Sequence, residues 1–499
     1  MSIKPQISSI ISKGGISRRN LVAGAGAAAI SASVLGGTTR QASARSSAQG
    51  LSGKFKIEAH DYTPSPSMEK SIDNPIPHDA LQRAIDSYTA LYPDVEIETV
   101  RVPPGTDSRV WTVTQLTGEN APEVVWTQSF DANRDTGKGW WVELDAYYEQ
   151  PNPYVEAGQP GSDKWINQFF EAPTAAKWGP DGHIYVVPYD LVTTFFFYNK
   201  THFADAGVEI PTTYADFITV LGKLKDAGKV AYNGMQWSRP QLGEMVLGSW
   251  ASQFEPTGAG GAYTQKDVSL AILAGVFDAT KPEYKDWLRL MKDSVPYWTE
   301  QWTLEPDISK LDLQFSQGNL SIYEDGSWRF GLLKANTELN FEWGSFFMPI
   351  LTAGTGPGLS DLATGAAPPA IGGATANQFG VTNTAVKNGN VDLVIDFLRY
   401  ITAPTQASEI IGELGQFLPN IKGVEVNQDL VGSLEAVTSG IGEAGMISYG
   451  DKIEAEAGTK IDTLVNDFLL DRADLDTTAA DIQAILLAQA QAAKDANGW

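Results

Sequence analysis

Residues 179–200, GPDGHIYVVPYDLVTTFFFYNK, restrict the fold more than any other stretch of the chain. Gly179-Pro180-Asp181-Gly182 is a run of turn residues. Ile184 to Val187 is β-branched and aromatic and predicts a strand. Pro188 stops it, because proline has no N–H to give to a sheet ladder. Phe195-Phe196-Phe197-Tyr198 is too apolar for a surface strand, which predicts a second strand buried on both faces. The piece between them, Tyr189-Asp190-Leu191-Val192-Thr193, mixes polar and aromatic side chains. A short hinge or cleft wall between two buried strands accounts for that mixture.

The rest of the chain reads as alternating strands and helices. Phe55 to Ala59 alternates and predicts the first strand. His78 to Tyr92 carries Leu81, Ala84, Ile85, Tyr88, Leu91 and Tyr92 at the helical period, and Pro93 ends it. Val95 to Val102 predicts a second strand, completing a βαβ unit of a mostly parallel sheet. A third strand, Ala121 to Trp126, runs into Thr127-Gln128-Ser129-Phe130-Asp131. Ligands of open α/β sheets bind just beyond the carboxyl ends of strands, which puts Trp126, Gln128 and Asp131 at a cleft. Thr213 with Asp216 forms a capping box for a helix bearing Phe217, Val220, Leu221 and Leu224. Trp237 lies in a strand-edge loop, and Thr478 to Ala493 predicts a closing helix capped by Thr478. With 499 residues the chain exceeds what one core accommodates, so two or more lobes are expected.

Two segments carry a family resemblance. Gly182, Tyr185, Pro188, Tyr198-Asn199-Lys200, Phe203, Ala206-Gly207-Val208 and Pro211-Thr212-Thr213 follow the order of a G-x-x-Y-x-x-P, Y-N-K, F-x-x-A-G-V-x-x-P-T-T pattern. Phe315 to Trp328 follows F-x-x-G-x-x-x-M-x-x-x-G-x-W, with Ile322 near the usual methionine. Both resemble the extracellular solute-binding proteins of ABC importers, in the group that binds sugars and oligosaccharides. The resemblance implies an α/β, two-lobed periplasmic-binding-protein fold of type II, each lobe a mostly parallel sheet flanked by helices. It implies ligand in the cleft between the lobes and a membrane permease that receives the closed form. The divisions expected are a linker at 45–53, lobe one at 54–190 with 338–401, and lobe two at 191–337 with 402–499. In the family the loop after the first strand faces ligand, which nominates Asp61 and Tyr62. Trp328 stands where relatives stack an indole on a sugar ring, after the turn at Gly326. Gln416, in Gln416-Phe417-Leu418-Pro419-Asn420, resembles a substrate-touching segment.

The chemistry of the chain suits binding. His60, His78, His183 and His202 form no metal-ligating pattern, and cysteine is absent, so neither thiolate metal sites nor disulfides are expected. No G-x-S-x-G elbow and no phosphate loop occur. A glycosidase-type carboxylate pair stays open, since 60 acids offer pairs by chance. The chain holds 14 Trp, 17 Tyr and 20 Phe, several at strand ends: Tyr62, Trp126, Tyr189, Trp237 and Trp328. Sugars present an apolar C–H face that aromatic rings cover, and a rim of hydroxyls that Asp, Glu and Gln bind. Asp131, Asp190, Gln128 and Glu324 suit the rim, while core packing is the alternative for any single ring. A non-sugar solute (polyol, sugar phosphate or metal chelate) and a secreted glycan-active enzyme are the other functions open. Neither a cofactor nor a metal is called for, and a monomer is expected.

The amino terminus reads as an export signal. Ser17-Arg18-Arg19-Asn20-Leu21 resembles the twin-arginine motif, Leu21 to Leu35 is mildly apolar, and Ala42-Ser43-Ala44 offers a cleavage site. A freely soluble periplasmic or secreted protein follows. The net charge of −24 makes nucleic acid and anionic membrane poor partners, and solubility accounts for the acidity.

Overall fold

The alternation in Gly53–Glu58 (β1) turns Phe55 and Ile57 inward and both lysines outward. β1 pairs in parallel with Val95–Val100 (β2) and with Val124–Trp126 (β3). Val186–Pro188 (β4) joins through Gln378–Val381 (β9), which lies antiparallel between β3 and β4. The order is therefore β2-β1-β3-β9-β4, with β9 alone reversed. The computed structural model describes residues 50–71, 74–175, 177–179, 181–192, 194–235, 242–243, 246, 257, 264–299, 308–336, 339–349, 351, 376–425 and 455–499. The export signal at 1–44, Trp237 and residues 352–375 of the Gly/Ala/Pro-rich loop lie outside them.

The phenylalanine run behaves as its composition demands. Thr194–Asn199 (β6) is the centre of a second sheet, antiparallel to Ile322–Gly326 (β7) and to Trp343–Phe346 (β8). Phe196 packs on Phe217, Tyr232 and Phe346. Phe197 points the other way, onto Tyr323, Phe330 and Trp343. The parallel sheet expected of each lobe is thus found in the first. Among the described residues the named strands of the second sheet are antiparallel, and its parallel pairing is limited to bridges at Tyr232.

Two large apolar cores divide the chain. The first gathers β1, the helix Ala80–Leu91, β9, and the helices Val391–Thr402 and Pro404–Leu414. The second gathers Phe196, the helices Tyr214–Asp226, Gln265–Leu273 and Pro282–Ser294, and the carboxyl-terminal helices Ala455–Leu469 and Leu475–Asn497. Asp190–Leu191 (β5) and Leu418–Pro419 (β10) pair antiparallel where the chain passes between the cores. A smaller cluster around Leu191, Phe197, Tyr323, Phe330 and Leu418 packs beside that pair.

Several boundaries differ from those expected. The strand at 343–346 pairs with β6, so the chain returns to the first core after β8, not at residue 338. The residues Ala407, Ile410, Ile411, Leu414, Phe417 and Ile421 pack on the first core, so the last passage comes after them rather than at 402. The physical reason is the amphipathic face of Pro404–Leu414, whose apolar side lies over the helix Ala80–Leu91. Leu91 is 57% exposed, because the helix ends there and Tyr92 turns back onto Tyr88 instead. The Thr213 capping box forms as expected. The closing helix starts earlier than expected: Asp474 accepts from Thr477 N, and Thr478 is buried inside the helix. Among the described residues no helix is long and apolar enough to cross a membrane.

Candidate functional site

The carboxyl ends of β1, β3 and β4 and the start of β9 converge on one edge of the first sheet. Glu58, the last residue of β1, is enclosed. One of its oxygens accepts from His60 N at 2.8 Å, the other from Trp126 N at 3.2 Å. A single buried carboxylate therefore ties the two strand-end loops together. Burial pushes the Glu58 carboxyl up, against the opposing pull of His60 and the two backbone donors.

His60 has φ of 49°, a left-handed backbone that non-glycine residues adopt at a cost. Its ring lies 4.2 Å from the Trp126 ring at 22°, a stacked pair. Its Nδ1 lies 3.2 Å from an Asp61 carboxylate oxygen. Burial would lower the His60 pKa, but Asp61 outweighs it and the net direction is up. Burial would likewise raise Asp61, yet His60 and a hydrogen bond from Asn377 hold it below the usual carboxylate range.

Trp126 and Gln128 meet on the Ala376 carbonyl, which accepts from Trp126 Nε1 at 2.7 Å and Gln128 Nε2 at 3.2 Å. Gln378 Nε2 donates to Gln128 Oε1 at 2.6 Å. Asp190 anchors the same edge from beneath. Its Oδ1 accepts from Ala376 N and Asn377 N, its Oδ2 from Tyr62 OH and Asn377 Nδ2. Burial pushes its pKa up to about 7 despite those donors. Tyr189 packs edge-on to Tyr62 and donates its hydroxyl to the Ile401 carbonyl.

The nominated residues thus separate into two kinds. Asp61, Trp126 and Gln128 are half-buried at the sheet edge. Tyr62, Tyr189 and Asp190 are enclosed, with their polar atoms engaged inside the protein. In this conformation they form the frame beneath the edge. Tyr189–Val192 is buried where the chain passes between the cores.

Asp131 stands apart from this group. It is 7% exposed and pairs with Arg109 Nε at 3.5 Å and an Arg134 guanidinium nitrogen at 3.4 Å. Burial nevertheless raises its pKa. Arg109 also holds Asp135 through two bonds of 2.7 and 2.8 Å, so Asp131 belongs to a structural ion cluster.

The second half supplies Glu324, Gly326 and Trp328. Glu324 is enclosed; Tyr232 OH donates to its carboxylate at 2.8 Å and its N–H donates to Asn233 Oδ1. It too is framework. At Gly326 a Cβ would sit 2.1 Å from the Trp328 ring, so only glycine lets that indole fold back over the turn. Trp328 is half-buried and packs against the first core. It opens the helix Arg329–Ala335. There a Cβ on Gly331 would meet Ile76 Cδ1 at 2.8 Å and Gln416 Cγ at 2.9 Å. Gln416, 8% exposed, therefore lies at this contact between the halves and not on an open wall.

Sequence reasoning passed over Glu58, His60, Asn377, Gln378 and Asn233. Glu58 shares the lysine face of β1, so the alternation gave no sign of its burial. Asn377 and Gln378 gave none, because they reach the site only through the reversed strand β9. Among the described residues no cluster of His, Cys, Asp and Glu could hold a metal ion.

Three comparisons bear on this geometry. No curated protein sequence is significantly similar to the chain. Solved structures are. A chitin oligosaccharide binding protein shares 15% identity at a TM-score of 0.60, over 88% of this chain and 99% of that one. The GacH receptor of Streptomyces glaucescens, solved alone and with acarbose, shares 17% identity at a TM-score of 0.58, over 88% and 99%. The cyclic alpha-maltosyl-1,6-maltose binding protein from Arthrobacter globiformis shares 18% identity at 0.57, over 89% and 100%. At these identities the likeness is one of fold, the two-lobed α/β fold of solute-binding proteins. Residues 83–432 match the family model of the bacterial extracellular solute-binding protein, and the chain belongs to that family.

Proposed function

We propose that this solute-binding protein captures a sugar or oligosaccharide between its two halves and delivers it to the permease of an ABC importer. The observation that carries the reading is the edge of the first sheet. There an indole stacked on an imidazole stands beside the half-buried polar groups of Asp61 and Gln128. An aromatic face with carboxylate and amide groups at its margin matches a sugar's C–H face and hydroxyl rim. Trp328, from the second half, packs against the first core. Asp61, held ionised at the edge, disfavours an anionic guest such as a sugar phosphate. The structural relatives support the choice: their names record chitin oligosaccharide, acarbose and a cyclic maltosyl-maltose. Binding without turnover fits the framework roles of the enclosed carboxylates. The twin-arginine motif at Ser17–Leu21, which lies outside the described residues, supports export to the periplasm or beyond, where the protein would act as a monomer.

Titration calorimetry against chitotriose, maltotriose, raffinose and galactose tests this. Saturable binding without product is expected, and Trp126→Ala should weaken it by about 1–3 kcal/mol. Release of product from any glycan, or indifference to the whole panel together with saturable binding of a non-sugar, would overturn it.

A further inference from the structure

We propose that Glu58 is the positioning residue of the first half-site: its enclosed carboxylate locks His60 and Trp126 into one stacked unit, and the guest meets that unit rather than either ring alone. The inference rests on the proposed function for the guest, while the stacked unit stands on geometry by itself.

Glu58 is 2% exposed, yet it makes no side-chain ion pair of its own among those described. Its bonds go to two backbone N–H groups, on loops that follow different strands. The β1–β3 pairing ends at Glu58 and Val125, and beyond it these two bonds are what ties the His60 N–H and the Trp126 N–H to one group. The His60 backbone is also in the left-handed region, a conformation that must be held. Trp126 is fixed at three points: its N–H on Glu58, its Nε1 on the Ala376 carbonyl, and one ring face on His60. Its indole N–H is therefore spent, and recognition falls to the ring face and edge that His60 leaves free. A ring fixed before the guest arrives loses little freedom on binding, so this arrangement strengthens affinity by preorganisation.

The same unit makes the half-site sensitive to pH. The charged and titratable groups around His60 are Glu58 from β1, Asp61 in its own turn and Asp190 from β5. Beyond them lie His78, which bears on Asp61, and Arg101 after β2, which donates to the Thr63 and Pro64 carbonyls. Acids outnumber bases here, which favours the imidazolium and its contact with Asp61. Loss of that proton alters the ring stacked on Trp126 and removes its attraction to Asp61.

Glu58→Gln is the informative change. The amide keeps the shape but offers one acceptor to two donors, and sets an N–H against the other. The full chain is labelled with fluorotryptophan, the Trp126 fluorine signal is assigned with Trp126→Phe, and it is followed between about pH 5 and pH 9. In the native protein the signal should show a His60 step that is lost in His60→Asn and kept in Asp190→Asn, the Asp190 carboxyl itself titrating in the same range. In Glu58→Gln the signal should shift or broaden and the step should change its midpoint. Affinity for the sugar of the panel that binds should fall about tenfold. A Trp126 signal and step unchanged in a folded Glu58→Gln protein would overturn the proposal. If Glu58→Gln does not fold, the His60→Asn arm decides, since a titration there identical to the native one overturns the stacked unit. If no sugar of the panel binds, the proposed function fails while the fluorine titration still judges the positioning role.

Discussion

Asp190 gathers four donors on one buried carboxyl, and its environment still favours the protonated form. In the unfolded chain an aspartate titrates near about 3.9, whereas in the fold burial pushes Asp190 up to about 7. Between those values the folded state holds the proton more tightly. Its contribution to stability is therefore full below the lower value and is lost as pH rises through the upper one. Asp190→Asn removes this dependence. Thermal unfolding at pH 4.5 and 7.5 should find the variant less disadvantaged, relative to the native protein, at the higher pH. An identical difference at both would refute the raised pKa. Gly326 raises a steric question rather than an electrostatic one. A methyl there lands within the Trp328 ring, so Gly326→Ala must displace the indole or bend β7. A loss of about 1–3 kcal/mol is expected from such overpacking. Urea unfolding followed by tryptophan fluorescence measures it, and an unchanged midpoint with an unchanged spectrum would refute it.

Among elements, the helix Arg329–Ala335 carries the contact between the halves. Lys70 Nζ donates to the Ala335 carbonyl at 3.0 Å, at the end of the helix where a cation is favoured. Ile76 and Gln416 lie against its Gly331. A large side chain at that glycine should prop the halves apart. Gly331→Phe is expected to increase the radius of gyration measured by small-angle scattering and to weaken sugar binding. Unchanged scattering would mean the contact yields without moving the halves. The helix Tyr214–Asp226 illustrates the opposite case, an element determined locally. Thr213 and Asp216 satisfy each other's backbone donors, and the apolar stripe follows the helical period. Thr213→Ala should cost about 1 kcal/mol in a denaturant titration without affecting sugar affinity. An effect on affinity would link that helix to the site.

At the scale of the molecule, the chain moves between two cores, and the β5–β10 pair joins the first passage to a segment that precedes the last. Paired short strands between two lobes suit a hinge, because few residues need change their backbone when the lobes move. Much of this was legible in the sequence from local pattern alone. The strand–proline–strand run, the strand buried on both faces, the capping box and the tight turn before Trp328 depend on near neighbours, where side-chain period and backbone chemistry decide. The position of Trp126 and Gln128 at the sheet edge was legible for the same reason, since it follows directly from where a strand ends, while Asp61 was nominated by the family resemblance. What only the tertiary structure decided was which polar residue faces outward. Chain segments remote in sequence bring partners to Tyr62, Tyr189, Asp190 and Glu324 and close over them in this conformation. Glu58 and Asn377 act through strands that meet only in the folded sheet, and Gln416 meets Gly331 only when the halves approach. Local pattern sets each element because its energies are between neighbours; the site is set by contacts across hundreds of residues, which no local pattern encodes.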